Sequence, residues 1–145
     1  AYGEAVAASL LPRAALARGL AVRGPDGFAV SGAETPYAIE QLAVDHHPAE
    51  PKVPIGYWRS GPHSYTCFFT ESFVDELARG AQAEPFSFRM AMLGRQPRLA
   101  RCLSTVAALG GWQGGELGTG QGIAVHAAYG SFIAVLAEAR VDRGR

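Results

Sequence analysis

The chain has 145 residues, of which 48% are hydrophobic and 18% charged, with a formal net charge of zero. A chain of this length, so apolar and so weakly charged, buries enough surface to fold as one compact unit, which excludes disorder. The balanced charge and a pI near 7.1 exclude the footprint of a nucleic-acid or anionic-membrane binder, and the two cysteines make neither a disulfide scaffold nor a zinc site.

Residues 4–19 carry helical spacing through Val6, Leu10, Leu11 and Leu16, interrupted at Pro12 and stopped at Gly19. No apolar run reaches the roughly 20 residues of a membrane span, and the first residues lack the basic start and apolar stretch of a signal peptide. A turn at Gly24–Gly27 leads to a short strand over Phe28–Val30 and a second turn at Ser31-Gly32. Leu42–His46 reads as a strand, Pro48–Pro54 as an extended connector, and Val53–Trp58 as another extended segment.

Ser64 is placed to cap a helix running to about Gly80. Tyr65, Phe69, Phe73 and Leu77 recur every four residues along it, with Val74 beside them, and this ridge is expected to pack in the core. Glu71 and Asp75 lie one turn apart on another side, where a solvated face is expected rather than acid–base work. Pro85 opens a helix carrying Phe86, Phe88, Met90 and Leu93. Pro97 opens another with Leu99, Cys102, Leu103, Val106 and Leu109, ended by Gly110-Gly111. After a glycine-rich loop, Gly122–Ala128 and Phe132–Val141 form two strands split at Gly130. The expected class is α+β, a single domain of antiparallel strands packed with about three to four helices. The ending Arg140–Arg145 stops on a turn signal, so residues 1–145 look like a fragment of something longer.

Most candidate chemistry in the sequence is weak. His46 and His47 are adjacent and, on a strand, point to opposite faces, while His63 and His126 lie far away without a ligand spacing, so no metal site is expected. No nucleophile elbow is present, and Cys67 and Cys102 sit in apolar helical runs where a thiol acts as a small hydrophobe. Gly118, Gly120 and Gly122 follow a helix and precede a strand, the reverse of a dinucleotide fingerprint, and read as a linker. What remains is the segment Pro54–Ser64, with Arg59 between two aromatics and a glycine turn, directly before a helix N-terminus. Free backbone N–H groups, the helix dipole and a guanidinium suit it to an anion. A plain surface turn with Arg59 stacked on Trp58 fits the same residues.

Five stretches together carry a resemblance: Gly32–Ile39, Val53–Ser60, Phe69–Ala78, Glu84–Arg89 and Gly120–His126. In this order and spacing the chain resembles the molybdenum-cofactor-binding large subunit of the xanthine oxidase and aldehyde oxidase family, its isoquinoline oxidoreductase beta-subunit branch above all. The resemblance implies part of a bacterial molybdenum hydroxylase that oxidises an aldehyde or N-heterocycle with oxygen from water. Hydride then leaves to the molybdenum centre and electrons pass to iron–sulfur clusters on a small subunit. It also implies a molybdenum–pterin cofactor contacted by Trp58, Arg59, Ser60 and Gly61, where Ser60 stands for the family's usual glycine and Pro62 departs from its phenylalanine continuation. Glu71 and Asp75 match helix positions whose implied role is structural. The glycine-rich loop that reaches the molybdenum ligand and the late glutamate base of the family have no counterpart here. The resemblance therefore makes the chain one piece of the cofactor-binding region, inactive alone, whose partners are the remainder of the large subunit and the iron–sulfur subunit, with no nucleic acid and no membrane insertion. The alternative is an autonomous, non-catalytic binding or interaction domain with a closed polar surface.

Overall fold

The computed structural model describes residues 27–47, 58–114 and 120–140. The expected helix over 4–19, the connector Pro48–Pro54 and all of Val53–Trp58 but Trp58 itself lie outside them. The described elements are α1 (His63–Gly80), α2 (Pro85–Met92), α3 (Pro97–Leu109), β1 (Gln121–Ala128) and β2 (Ser131–Glu138). The strands pair antiparallel, from Gln121 opposite Glu138 to Ala128 opposite Ser131, which makes the fold α+β.

Local chemistry explains each boundary. Glu84 takes an extended backbone and accepts the N–H groups of Phe86 and Ser87 at 2.7 and 2.8 Å, capping α2 at its N-terminus. Proline opens both α2 and α3, where its missing N–H removes no intrahelical bond. At the end of α3 Gly111 takes φ +61°, and the Trp112 N–H turns back to Ala107 O at 2.9 Å, a glycine-dependent stop. Tyr129 and Gly130, both at positive φ, make the tight turn of the β hairpin.

Two short strands expected from the sequence do not form. Phe28–Val30 lies inside a run of turns, with Ser31 N donating to Phe28 O at 3.1 Å and Ala33 N to Val30 O at 2.9 Å. Leu42–His46 pairs with nothing as a strand among the described residues. Both are apolar runs of three to five residues, and a run that short forms a strand only where a partner edge lies alongside. The expected cap at Ser64 is also displaced: α1 begins at His63, and the Ser64 hydroxyl donates to Gly61 O at 2.8 Å.

The chain forms two compact units. The first holds the described residues of Ala1–Glu34 and Leu42–Cys67, including the first turns of α1. Here the Tyr65 hydroxyl donates to Ala29 O, and Thr66 Oγ1 lies 2.9 Å from both Ser31 O and Pro62 O. These contacts fasten the turn at 27–33 to the start of α1, close against Gly32, which takes φ +86°.

The second unit holds Thr35–Gln41 and the described residues of Phe68–Arg145. Its core joins Val74 of α1, Leu93, Leu99 and Leu103 around α2 and α3, and Ile123 and Val125 of β1. The cross-strand register puts Ile123, Val125, Phe132, Ala134 and Leu136 on one face of the hairpin, and α3 covers that face with Leu99, Leu103 and Ala107. The segment 35–41 is tied in by Ala38 N donating to Met92 O at 2.9 Å and by Tyr37, which is 5% exposed.

Val74 packs in the core as expected and Tyr65 is half-buried, but the rest of the aromatic ridge of α1 faces outward. Phe69, Phe73 and Leu77 are 63%, 58% and 41% exposed, and Phe68 is 66% exposed, whereas Glu71, Val74 and Ala78 are buried. The two rows lie about 130° apart around the helix. The row with small residues faces inward because it also carries the carboxylate that a buried arginine requires.

Candidate functional site

The four residues singled out in sequence lie at the entry to α1. Trp58 is 79% exposed, and Arg59 and Ser60 are exposed beside it. Ser60 and Gly61 take φ +68° and +54°, both left-handed. The Ser60 backbone therefore keeps the conformation that a glycine adopts freely and an L side chain resists.

Four of the amides here are engaged within the turn itself. Gly61 N donates to Trp58 O at 3.1 Å, Ser64 N to Gly61 O at 3.2 Å, and Tyr65 N and Thr66 N to Pro62 O at 3.1 and 2.9 Å. These four donors close the first turns, and the charged group the segment presents beside them is the exposed Arg59 guanidinium. Among the described residues Arg59 does not stack on a ring either; the guanidinium over an aromatic face there is that of Arg98, 4.4 Å from the Phe132 centroid. The segment offers one exposed cationic side chain. It offers no metal ligand, and among the described residues no group of three His, Cys, Asp or Glu could hold a metal ion.

The strongest electrostatic feature lies elsewhere, within the second unit. Arg89 on α2 is fully buried, and its Nε donates to Glu71 Oε2 at 3.0 Å. Its Nη2 donates to Glu71 O at 3.1 Å and its Nη1 to Pro85 O at 3.2 Å. Nη1 also lies 2.7 Å from Asp75 Oδ1, a close charge contact whose angle does not complete a hydrogen bond. The Glu71 carboxylate further accepts the Tyr37 hydroxyl, 2.9 and 3.1 Å from its two oxygens, and the Val125 N–H at 3.1 Å. Glu71 and Asp75 are therefore not the solvated pair expected from the sequence: Glu71 is 6% exposed and serves three donors from three elements.

This cluster sets its own charges. Burial opposes the Arg89 charge, but Glu71, Tyr37 and Asp75 together hold its pKa above the ordinary arginine value. Burial first, and then the Glu71 carboxylate, push the Tyr37 phenol far above its ordinary value, so the hydroxyl stays a donor. A second knot sits at Glu84, which accepts Trp112 Nε1 and Ser87 Oγ at 2.7 Å each as well as the two α2 amides. Partial burial works against the Glu84 charge, and these hydrogen bonds outweigh it, holding the carboxyl below its ordinary range.

Four of the five stretches that carry the resemblance meet in these knots. Tyr37, Glu71 with Asp75, Glu84 with Arg89, and Val125 each come from a different one. The resemblance thus rests mainly on residues that hold the second unit together, and only Val53–Ser60 belongs to the proposed contact segment. Sequence reasoning missed this because pairing between distant charges leaves no local period. One signal was present: Arg89 stands among Phe86, Phe88 and Met90 in a short apolar helix, and a charge there demands a carboxylate.

No family model matches the chain, and no solved structure matches it. The chain is similar to isoquinoline 1-oxidoreductase subunit beta of Brevundimonas diminuta, 29% identical over 77% of its residues. It spans 15% of that protein's length.

Proposed function

We propose that this chain is a section of the cofactor-binding subunit of a molybdenum hydroxylase, one that oxidises an aldehyde or N-heterocycle, and that it works only with the remainder of that subunit and an iron–sulfur partner. The likeness to the isoquinoline oxidoreductase beta subunit carries the reading. The exposed Arg59 and Trp58 support it, because among the described residues no ion pair occupies Arg59, which leaves its charge available for a contact. Exposed apolar surface supports it as well. Phe68, Phe69, Phe73 and Leu77 on α1 stand in water, where an autonomous domain would show a polar surface.

When bound, the molybdenum–pterin group would supply the redox centre at which a substrate C–H bond gives up its hydride. The work of this chain is narrower. Arg59 would hold an anionic oxygen of the cofactor through its planar pair of N–H donors, and Trp58 would present a flat apolar face beside it. Ser60 and Gly61, through their left-handed turn, fix the direction in which Arg59 leaves the chain. The buried Arg89–Glu71 cluster takes no part in chemistry; it sets the frame of the second unit.

Thermal melting with and without the isolated molybdenum–pterin cofactor tests the contact. At ten times the dissociation constant, binding to the native state adds about 1.4 kcal/mol, so the Tm rises, and Arg59→Ala abolishes the rise. A rise of equal size in Arg59→Ala overturns the assignment.

A further inference from the structure

We infer that the outer edge of β2 is a self-association surface, where a second copy of this chain adds its own β2 to make a continuous four-stranded sheet. The inference is independent of the cofactor. It starts from the hairpin hydrogen bonds. With the two-residue turn at Tyr129-Gly130, Ala128 and Ser131 form the first bonded pair, and bonded pairs recur at every second residue. Ala139 N donating to Gly120 O at 2.9 Å continues the same phase. The odd-numbered residues of β2 therefore bond to β1, and the N–H and C=O groups of Phe132, Ala134, Leu136 and Glu138 point to the other side. Among the described residues no strand pairs with that side.

Soluble proteins protect such an edge with proline, lysine, a bulge or a short strand. β2 has eight residues, Ser-Phe-Ile-Ala-Val-Leu-Ala-Glu, with no proline and no charge before Glu138, and its ladder to β1 runs without a bulge. An open groove of about 600 Å³ follows this edge, bounded by Phe132 and Ala134 on one side and by Arg98, Arg101, Val106 and Leu109 of α3 on the other. The groove carries two cationic side chains and no acidic one. Apolar surface stands open around it, with Leu109 84%, Ile133 56% and Val135 49% exposed.

Charge complementarity identifies the occupant. Two β2 strands related by a two-fold axis through Val135 pair antiparallel, with Ala134 opposite Leu136 of the other copy and Phe132 opposite its Glu138. All four of these residues present outward-pointing backbone groups, so the ladder closes. Phe132 and Glu138 then share a face of the sheet, and Arg98 already lies over the Phe132 ring. The exposed Glu138 of one copy thus meets Arg98 of the other, twice per dimer, and the one acidic group on the strand answers the cations of the groove. Shifting the register by two residues toward the turn puts Glu138 opposite Gly130 and loses both pairs.

Sedimentation velocity on the 145-residue chain and its variants tests this. The unmodified chain is expected to dimerise. Arg98→Glu and Glu138→Arg each turn two attractions into two repulsions and are expected to weaken the dimer by about tenfold or more. Mixing the two variants restores both attractive pairs and is expected to give a heterodimer as tight as the original. Circular dichroism and melting of each variant confirm that its hairpin is intact. A monomer at about 100 µM, a dimer indifferent to both reversals, or two folded variants whose mixture stays monomeric would overturn the proposal.

Discussion

Substituting Glu71 by Gln removes one negative charge from beneath a fully buried guanidinium while keeping the side chain's shape. Arg89 keeps Asp75 at 2.7 Å, whose side chain is 28% exposed, and two backbone carbonyls at 3.1 and 3.2 Å. Breaking a buried pair by removing one partner costs about 3–5 kcal/mol, and the surviving Asp75 contact places this case near the low end, at about 3 kcal/mol. Glu71→Ala is harsher, because the Tyr37 hydroxyl and the Val125 N–H lose their acceptor too, at about 1–3 kcal/mol each. Against a total stability of about 5–15 kcal/mol, the alanine variant is expected to be largely unfolded and the glutamine variant folded but weakened. Urea unfolding followed by tryptophan fluorescence measures the difference, since half-buried Trp112 hangs on Glu84 in the same unit. Arg89→Met alone strands Glu71, but combined with Glu71→Gln it leaves no unpaired charge, so the double variant is expected to lose less than the two single losses added together. A glutamine variant within about 1 kcal/mol of the parent would refute the pair as a stabilising unit.

Alkaline pH probes the same cluster from Tyr37. Its folded-state pKa is raised, so its contribution is complete below the unfolded value of about 10 and is lost as pH rises above it, at up to about 1.4 kcal/mol per pH unit. Tyr37→Phe is expected to cost stability at pH 7 and to remove that alkaline slope in pH-dependent urea titrations. Glu84→Ala strips α2 of its cap and Trp112 of its acceptor, for an expected loss of about 1–3 kcal/mol in the same assay. Gly120→Ala would drive a Cβ into the Ala139 carbonyl oxygen at φ +67°, so calorimetry should show a markedly lower Tm. Ser60→Gly relieves a left-handed serine and is expected to leave stability level or raise it by up to about 1 kcal/mol.

Punctuation residues made much of this fold readable. Pro85, Pro97, Gly110 with Gly111, and Gly130 each mark a boundary in the structure, because each permits or forbids a backbone conformation by itself. Periodicity did less well. The spacing of Tyr65, Phe69, Phe73 and Leu77 identified a face of α1 but could not tell which face turns inward, since that depends on where Arg89 arrives from α2. The runs at Phe28–Val30 and Leu42–His46 failed for a related reason: strands need a neighbouring edge, and no local pattern supplies one. At the entry to α1 the sequence marked the exposed Arg59, but which amides the turn closes on its own carbonyls is decided by backbone angles at Ser60 and Gly61.

The Glu71 carboxylate finds its donors 18, 34 and 54 residues away along the chain. None of these can be met by a local turn, so each loop must close before the charge leaves water with its partners in place. An arrangement with α1 docked and the hairpin still loose would hold a carboxylate half out of water and short of a donor, and would be higher in energy than either end state. The second unit is thus built to assemble in one concerted step. It would fold slowly for its helical content, since long loops close first, and populate few partly ordered forms on the way.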